Sequence, residues 1–342
     1  MGVESPGVRP TYRVGIVGTG GIARAHGLAC QALDDVDLCA ICDVSEAAVH
    51  RYGDQYDVPH RYQDLDEMLA AERLDVAIVC TWGTAHASTT IRLARSRRVR
   101  AILCEKPFAA NAAEAEQMVA AAREHGVLLA EAFKFRHHPL HLKTKALVDA
   151  GAIGEVRAVR STFCTGIMAA RRRPELNWRF NRAQGGGSIF DLGCYTIHHA
   201  RYILDAEPTR VFATARAGVE VEEAATVTLL FPGERTAQLT VGFSQWPSQE
   251  VEVSGTEGLL RARLAWNNER RAVTLEHHTA EGVETISFAP QHQITNQLRH
   301  LCDCLGTGQP HRIPPENSIA QMRVIDAVFE SMATGQPVEM TG

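Results

Sequence analysis

Long hydrophobic runs are missing from this chain of 342 residues, and so is any excess of basic charge. No apolar stretch is long enough to span a bilayer, so the sequence predicts no transmembrane helix and no membrane partner. The formal net charge is −5 and the basic residues are scattered, which predicts no nucleic-acid partner. The opening arm, residues 1–10, is polar and has no signal-peptide core, so we expect a cytoplasmic protein.

The chain also lacks a disulfide framework and a cluster of metal ligands. The nine cysteines are spread along the sequence, mostly inside apolar runs, which is typical of reduced core residues. Cys39 and Cys42 have the spacing of a redox or zinc half-site, but no second pair accompanies them. The fifteen histidines include the adjacent pairs 137–138 and 198–199, again without a companion carboxylate or thiolate cluster. We therefore predict no metal site.

A glycine-rich turn follows the first strand pattern, the β-branched run 13–17. Gly18 allows a tight turn off the strand, Gly20 lets the backbone approach a pyrophosphate, and Ala23 permits close packing of helix on sheet. Asp43 comes about 20 residues later, where an acid accepts hydrogen bonds from the adenosine ribose and disfavours a 2′-phosphate. This spacing predicts NAD as the cofactor, with NADP as the alternative. The competing interpretation is a tight strand–helix turn with a surface aspartate.

The hydrophobic pattern changes along the chain. Up to about residue 135, short apolar strands alternate with helices, which predicts a doubly wound parallel sheet. Gly18, Asp43, Thr81 and Lys106 all follow such strands, at the carboxyl ends where these sheets bind ligands. From about residue 140, successive alternating strands joined by short turns predict a large, mostly antiparallel open sheet. The free face of an open sheet is a natural place for a second subunit.

We therefore expect an α/β protein with two domains. The first, residues 11–135, is predicted to be an NAD(P)-binding Rossmann domain with a doubly wound parallel sheet. The second, residues 136–315, is predicted to be an α/β domain that binds substrate and forms a homodimer or homotetramer through its sheet. The last predicted helix, residues 316–334, could pack back on the first domain.

Glu105-Lys106-Pro107 ends an apolar strand pattern downstream of the glycine turn, which puts a lysine near a redox cofactor. Oxidation of a secondary alcohol sends a hydride to the nicotinamide and a proton to a base, and the developing charge resembles an alkoxide. A protonated lysine stabilises that charge, and Pro107 favours an extended backbone at Lys106. Taken alone, however, the position favours an ordinary exposed lysine at a strand end.

The glycine run 185–187 precedes a helical pattern that places Asp191, Tyr195 and His198 on one face. An acid, a phenol and an imidazole on one helix face favour a surface that contacts substrate over a face that packs in an apolar core. A nearby lysine cation favours the phenolate, so Tyr195 can pass the hydroxyl proton while Asp191 accepts hydrogen bonds from sugar hydroxyls. The competing interpretation is a helix that buries Tyr195 with its hydroxyl satisfied and uses Asp191 as a cap.

In this order, the motifs resemble the Gfo/Idh/MocA family, named for glucose–fructose oxidoreductase and inositol dehydrogenase, over nearly the whole chain. The matching segments are residues 18–23, 81–86, 105–107, 135–139, 151–155, 178–179 and 185–195. The resemblance implies a Rossmann domain, a second domain whose open sheet is used in oligomerisation, and NAD(P)-dependent oxidation or reduction of sugars, polyols or related ring alcohols.

The resemblance also implies roles for individual residues. Lys106 matches the family's catalytic lysine, Asp191 matches its aspartate, and Tyr195 matches its acid/base position. The implied cofactor contacts are Gly18, Thr19, Gly20, Gly21, Ile22, Ala23, Asp43, Thr81, Trp82, His86, Glu105 and Lys106. The implied or candidate substrate contacts are Lys106, Arg179, Asp191, Tyr195 and His198.

Two positions depart from the family's usual pattern. Tyr195 stands where many members have histidine, which resembles the branch with glucose–fructose oxidoreductase, xylose dehydrogenases and dimeric dihydrodiol dehydrogenase. Trp82-Gly83 stands where the family usually has Pro-Asn, so no relative's substrate transfers directly to this chain. Two alternatives to a simple dehydrogenase or reductase stay open. One retains NAD and uses transient oxidation for epimerisation, elimination or hydrolysis; the other is a non-catalytic NAD(P)-binding sensor.

Overall fold

The computed structural model describes residues 11–340, so the predicted polar arm, residues 1–10, lies outside the described residues. The helices are α1 (Ala23–Gln31), α2 (Glu46–Gln55), α3 (Leu65–Ala71), α4 (His86–Arg95), α5 (Ala112–Glu124), α6 (Pro139–Asp149), α7 (Cys194–Leu204), α8 (Gln293–Thr307) and α9 (Pro315–Thr334). The strands of the first half are β1 (Tyr12–Val17), β2 (Val36–Cys42), β3 (His60–Tyr62), β4 (Leu74–Val79), β5 (Val99–Cys104), β6 (Leu128–Glu131) and β7 (Val156–Gly166). The later strands are β8 (Arg210–Ala217), β9 (Glu222–Phe231), β10 (Arg235–Gly242), β11 (Ser244–Ser248), β12 (Val251–Gly255), β13 (Gly258–Ala262), β14 (Val273–Thr279), β15 (Gly282–Phe288) and β16 (Val338–Glu339).

The described chain divides into two compact units that are interleaved in sequence. The first contains the residues up to Glu105 together with 117–132 and 294–314, and the second contains 106–116, 133–293 and the residues from Pro315 on. We predicted continuous ranges instead. The interleaving changes the assignment of α8, which the pattern places in the second domain and the structure places in the first unit.

The first unit contains a six-stranded sheet in the order β3-β2-β1-β4-β5-β6, with every neighbouring pair parallel. The strand order reverses between β1 and β4, which is where doubly wound sheets bind a ligand at their carboxyl ends. Val76, Ala77, Ile78 and Val79 of β4 are completely buried, as expected for a parallel strand in the middle of a sheet. The predicted Rossmann sheet is confirmed.

Helix α8 completes the core of the first unit. Ile294, Leu298 and Leu301 recur at helical spacing and are buried in the same hydrophobic cluster as Val14 and Ile16 of β1. Burial of one such side chain contributes about 1.5–3 kcal/mol relative to exposure. Periodicity predicts that α8 has an apolar stripe, but it does not indicate which sheet the stripe covers.

The second unit contains a mixed sheet in the order β15-β14-β13-β12-β7-β10-β9-β8-β16, with β11 paired to β7. Its neighbours are antiparallel apart from the pair β7 and β10, so the predicted mostly antiparallel sheet is confirmed. Helix α7 contacts β7 and β10, and α9 contacts β8. Along β8, Val211 and Ala213 are buried while Phe212 between them is exposed, so this strand leaves one face of the sheet uncovered.

Two further features differ from the sequence pattern. Helix α9, which could have packed on the first domain, is grouped with the second unit. The short strands β3, β11 and β16 are not predicted by the pattern, because runs of three, five and two residues carry little periodicity. Among residues 11–340, no helix combines the length and the apolar character needed to cross a membrane.

Candidate active site

The glycine turn of the first unit has the shape that a dinucleotide needs. Gly18 has φ of +92°, and a Cβ there would lie 2.6 Å from the backbone carbonyl of Cys80. Gly20 and Gly21 are exposed, and a Cβ on either would meet no atom within 4 Å. Ile22, which precedes α1, makes no side-chain capping bond to the first turn of the helix. Backbone N–H groups at a helix start favour an anion, so the turn fits a pyrophosphate.

Asp43 lies beside this turn, directly after β2. Its Oδ2 accepts hydrogen bonds from the Thr19 backbone N–H at 2.7 Å and from Thr19 Oγ1 at 3.0 Å. Its Oδ1 accepts a bond from the Ser45 backbone N–H at 2.9 Å. The half-buried carboxylate therefore fixes the glycine turn, and it stands where the sequence predicts the acid that meets the ribose.

The segment after β4 carries the predicted contacts Thr81, Trp82 and His86. Trp82 is 48% exposed, whereas His86 is buried with its Nε2 3.2 Å from the Thr81 carbonyl oxygen. The histidine therefore holds the turn together, and the tryptophan presents an aromatic surface to solvent. Contacts from these three residues to the cofactor stay predictions.

Glu105 directly follows β5 and is buried. Its backbone N–H bonds to the Val79 carbonyl at 3.0 Å, and its Oε1 lies 2.7 Å from Nε2 of His26 on α1. His26 is not predicted from the sequence. The available signal was a single polar residue on the buried stripe of α1, which otherwise contains small apolar side chains such as Ala29 and Cys30.

Lys106 begins the next segment, in the second unit, and its peptide bond to Pro107 is cis. Its Nζ donates to Asp191 Oδ1 at 2.9 Å and to the Asp191 carbonyl oxygen at 3.0 Å. Arg179 Nε donates to the other carboxylate oxygen of Asp191, Oδ2, at 2.7 Å. One carboxylate therefore holds two cations, and we call Lys106, Arg179 and Asp191 the charged triad.

The glycine run explains how the charged triad is assembled. The Gly187 N–H bonds to the Arg179 carbonyl at 2.9 Å, and the Asp191 N–H bonds back to the Gly187 carbonyl at 3.0 Å. A Cβ on Gly186 would lie 2.6 Å from the Trp178 carbonyl oxygen, so any side chain there would push the two segments apart. The close backbone approach that only glycine permits thus brings Arg179 to Asp191.

Tyr195 lies next to the charged triad. The Lys106 Nζ is 5.1 Å from the centroid of its ring. The sequence pattern treats Asp191 and Tyr195 as one α-helical face, but Asp191 lies in a π-helical turn, Ile189–Gly193, that leads into α7. This wider turn changes the angle between the two side chains, and such turns are frequent at functional sites.

A layer of aromatic side chains surrounds Tyr195, which is 6% exposed. Its ring centroid lies 5.4 Å from Phe163, 5.8 Å from Phe133 and 5.8 Å from Trp266. These contacts restrict the phenol to one orientation. The sequence did not predict this layer, because its members come from three segments that are far apart in the chain.

His198 is almost completely buried, and its Nε2 lies 2.9 Å from Nη1 of Arg136. Burial and the neighbouring Arg136 hold the pKa of His198 well below its ordinary value, so the imidazole is neutral. Arg136 lies in the matching segment 135–139, and the sequence predicts no role for it. A contact between His198 and substrate stays a prediction.

The charged triad sets the protonation states at its centre. Burial opposes ionisation of Asp191, but Lys106 and Arg179 outweigh it and lower the pKa of the carboxyl. Burial likewise opposes the charge on Lys106, but Asp191 and Tyr195 outweigh it and raise the pKa of the ammonium. Both groups are therefore charged at neutral pH, and Lys106 can donate hydrogen bonds but cannot act as a base.

The cysteines form neither a disulfide framework nor a reactive thiolate site in the described chain. All nine are buried, and none of them takes part in a disulfide. Burial raises the pKa of Cys39 to about 11 and that of Cys42 to about 12, so the suspected half-site holds protonated thiols. In the part of the chain that the structure describes, no group of three or more histidine, cysteine or acidic residues could hold a metal ion.

Family models match both parts of the chain. Residues 12–133 match an oxidoreductase family with an NAD-binding Rossmann fold, and residues 141–261 match the GFO/IDH/MocA C-terminal domain. The chain belongs to the GFO/IDH/MocA family. The resemblance seen in the motifs is confirmed, and the first unit of this GFO/IDH/MocA oxidoreductase is an NAD(P)-binding Rossmann unit.

Members of the GFO/IDH/MocA family are similar to this chain over almost its full length. A D-xylose 1-dehydrogenase (NADP(+)) from Haloferax volcanii is 31% identical over 95% of this chain and 99% of its own. A D-apiose dehydrogenase from Paraburkholderia graminis is 28% identical over 96% and 90%. The crystal structure of aldose-aldose oxidoreductase from Caulobacter crescentus with glycerol is 28% identical, has a TM-score of 0.87, and covers 96% of this chain and 100% of that one.

Proposed function

We propose that this protein is an NAD(P)-dependent oxidoreductase that transfers a hydride between the nicotinamide and a secondary alcohol or ketone of a sugar, cyclitol or glycoside. The observation that carries the proposal is the charged triad with Tyr195 beside it. Asp191 is a buried carboxylate that holds a lysine at 2.9 Å and an arginine at 2.7 Å. Burial of such charges carries a desolvation penalty, which favours a catalytic role for the two cations over a purely structural one.

The bound cofactor would supply the hydride acceptor or donor. Lys106 would donate a hydrogen bond to the reacting oxygen and stabilise the alkoxide charge, with its ammonium fixed by Asp191. Because Lys106 stays protonated, the proton of the hydroxyl would pass to Tyr195 in oxidation and return from Tyr195 in reduction. Asp191 and Arg179 would also contact neighbouring hydroxyls and orient the ring.

A polyhydroxylated substrate suits these residues. Carboxylate, ammonium and guanidinium groups together offer acceptors and donors for several hydroxyls at once. The relatives that act on D-xylose and D-apiose support a small sugar. Some relatives have Pro-Asn where this chain has Trp82-Gly83, and neither proline nor asparagine offers an aromatic face. Because Trp82 is exposed, we expect the particular sugar to differ from the one that those relatives use.

We propose NAD as the preferred cofactor, with NADP as the alternative. The support is Asp43, whose carboxylate would repel a 2′-phosphate at the end of β2. The D-xylose dehydrogenase that is 31% identical is named for NADP, so NADP is tested beside NAD.

We further propose a cytoplasmic homodimer or homotetramer that assembles through the open face of the second unit's sheet. Phe212 on β8 and Val283 on β15 are 38% and 57% exposed, which leaves apolar surface for a second copy. The nine cysteines outside disulfides support a reducing compartment.

A substrate panel tests the proposed function. Purified protein is mixed with sugars, cyclitols and their keto forms, with NAD or NADP and their reduced forms, and the absorbance of the reduced nicotinamide is followed in both directions. Net turnover with at least one compound supports the proposal. Product formation from a retained cofactor, without net reduction, would indicate transient oxidation, and cofactor binding without any turnover would indicate a sensor.

A further inference from the structure

A buried pair of polar side chains lies beneath the glycine turn of the first unit. His26 is 0% exposed and Glu105 is 6% exposed. The His26 Nε2 is 2.7 Å from Glu105 Oε1, and His26 Nδ1 has no hydrogen-bond partner among the described residues. Glu105 is thus the one hydrogen-bond partner that the structure records for the His26 ring.

Each member of the pair is next to a functional element. His26 lies in the first turn of α1, with its backbone N–H bonded to the Ile22 carbonyl of the glycine turn at 3.4 Å. Glu105 directly follows β5, and its backbone N–H bonds to the carbonyl of Val79 of β4 at 3.0 Å. One peptide bond separates Glu105 from Lys106, whose ammonium belongs to the charged triad.

We propose that His26 is a positioning residue for the reaction, acting through Glu105 to fix the backbone from which Lys106 extends. The inference rests on the proposed function, because it requires Lys106 to contact the reacting oxygen. The proposal assigns a role in catalysis to a residue of α1, the helix that follows the glycine turn.

Glu105 is buried, where loss of a hydrogen bond is costly. Burial together with Glu105 raises the pKa of its neighbour Cys80, so that thiol stays neutral. Loss of His26 would break the 2.7 Å bond, and a rearrangement of the Glu105 side chain would move residue 105. A displacement of about 1 Å at a reacting group lowers the rate by about 100-fold.

Three variants separate positioning from general packing. His26→Leu removes the hydrogen bond, whereas His26→Gln keeps an amide N–H that reaches the position of Nε2. Cys30→Ala, one turn further along α1 and also buried, is the matched control for loss of core packing. Thermal midpoint, cofactor Kd, and kcat and KM for the most active compound of the substrate panel are measured for each variant.

We expect His26→Leu to lower kcat by about 10- to 100-fold while KM and cofactor Kd change by no more than about threefold. His26→Gln should restore most of kcat, and Cys30→Ala should lower the thermal midpoint without lowering kcat. Parental kcat in His26→Leu, or equal losses of kcat in His26→Leu and Cys30→Ala, would overturn the inference.

Two further variants keep the test decisive. If His26→Leu does not fold, His26→Asn replaces it, because its shorter amide cannot reach Glu105 as the glutamine amide does; equal kcat for the two amides would overturn the inference. Lys106→Ala is measured in parallel. Normal turnover of Lys106→Ala would refute the proposed function, whereas an inactive Lys106→Ala beside a fully active His26→Leu would refute only the role of His26.

Discussion

Asp191→Asn removes one negative charge from the charged triad and leaves its shape almost unchanged. The Asp191 carboxylate lies 2.9 Å from the Lys106 ammonium. The side chains of Lys106 and Asp191 are 12% and 6% exposed, so water screens their interaction poorly. Arg179 is 37% exposed and can turn toward water when its partner is neutralised. Lys106 therefore bears most of the cost.

The size of the effect follows from the geometry. At 2.9 Å and an effective dielectric constant of about 20, the gross attraction between Lys106 and Asp191 is about 6 kcal/mol. Removal of one partner of a buried pair lowers stability by about 3–5 kcal/mol, because the other charge stays buried without compensation. Loss of the exposed Arg179 contact adds no more than about 1 kcal/mol. We expect Asp191→Asn to lower the free energy of unfolding by about 3–5 kcal/mol.

The difference in unfolding free energy between the parent and Asp191→Asn should depend on pH, and the pKa shifts of Asp191 and Lys106 determine its direction. The pKa of Asp191 is lowered in the folded protein, so its contribution is complete above the ordinary aspartate pKa of about 4 and is lost as the pH falls further. The pKa of Lys106 is raised, so its contribution is complete below about 10.4. The stability gap between parent and variant should therefore be constant between about pH 5 and 10 and narrow below about pH 4.

Urea unfolding across this pH range is the assay, and Glu252→Gln is the matched control. Glu252 also holds two cations, Arg160 at 2.8 Å and Arg261 at 2.6 Å, but those arginine side chains are 62% and 35% exposed. Glu252→Gln should cost about 1 kcal/mol or less. Equal costs for the two variants, or an unfolding free energy of Asp191→Asn within about 1 kcal/mol of the parent, would refute the reasoning.

Three further outcomes are expected. Tyr195→Phe should lower kcat by about 100-fold or more, since the variant cannot move the proton; a pH–rate profile that matches the parent would contradict this role. Asp43→Ala should shift the ratio of NAD to NADP affinity toward NADP by about tenfold, measured by titration, and should weaken both because Thr19 loses its partner; unchanged selectivity would remove Asp43 from the cofactor site. Burial lowers the pKa of His141 to about 3, so acidification to pH 5 should cost about 2 kcal/mol through this residue, and His141→Phe should have a flatter dependence of unfolding on pH; an identical slope would count against a neutral buried imidazole.

The sequence predicted those parts of the site that follow from local rules. A short apolar strand ends where its pattern ends, so the pattern predicts that Gly18, Asp43 and Lys106 lie at strand ends. The carboxyl ends of parallel strands lie at one edge of the sheet, so Gly18 and Asp43 are expected to be close together. The structure adds the contact itself, a hydrogen bond of 2.7 Å from the backbone N–H of Thr19, the residue after Gly18, to the Asp43 carboxylate.

Contacts between distant segments could not be predicted in the same way. His26 and Glu105 are 79 residues apart, and nothing in either local pattern indicates that α1 meets the end of β5 at that point. The stripe of α8 was visible, but the sheet it covers was not. Asp191 shows a third limit, since the π-helical turn that carries it has no sequence signature and changes an angle that α-helical spacing had fixed.

The central claim is that Lys106 stabilises the charge on the substrate oxygen while other groups bind the cofactor. Single-turnover kinetics of hydride transfer in Lys106→Ala, measured together with cofactor Kd by fluorescence titration, tests that claim most directly. We predict that the rate falls by about 100- to 1000-fold or more while the Kd stays close to the parental value. A near-normal rate of hydride transfer in Lys106→Ala would contradict the account.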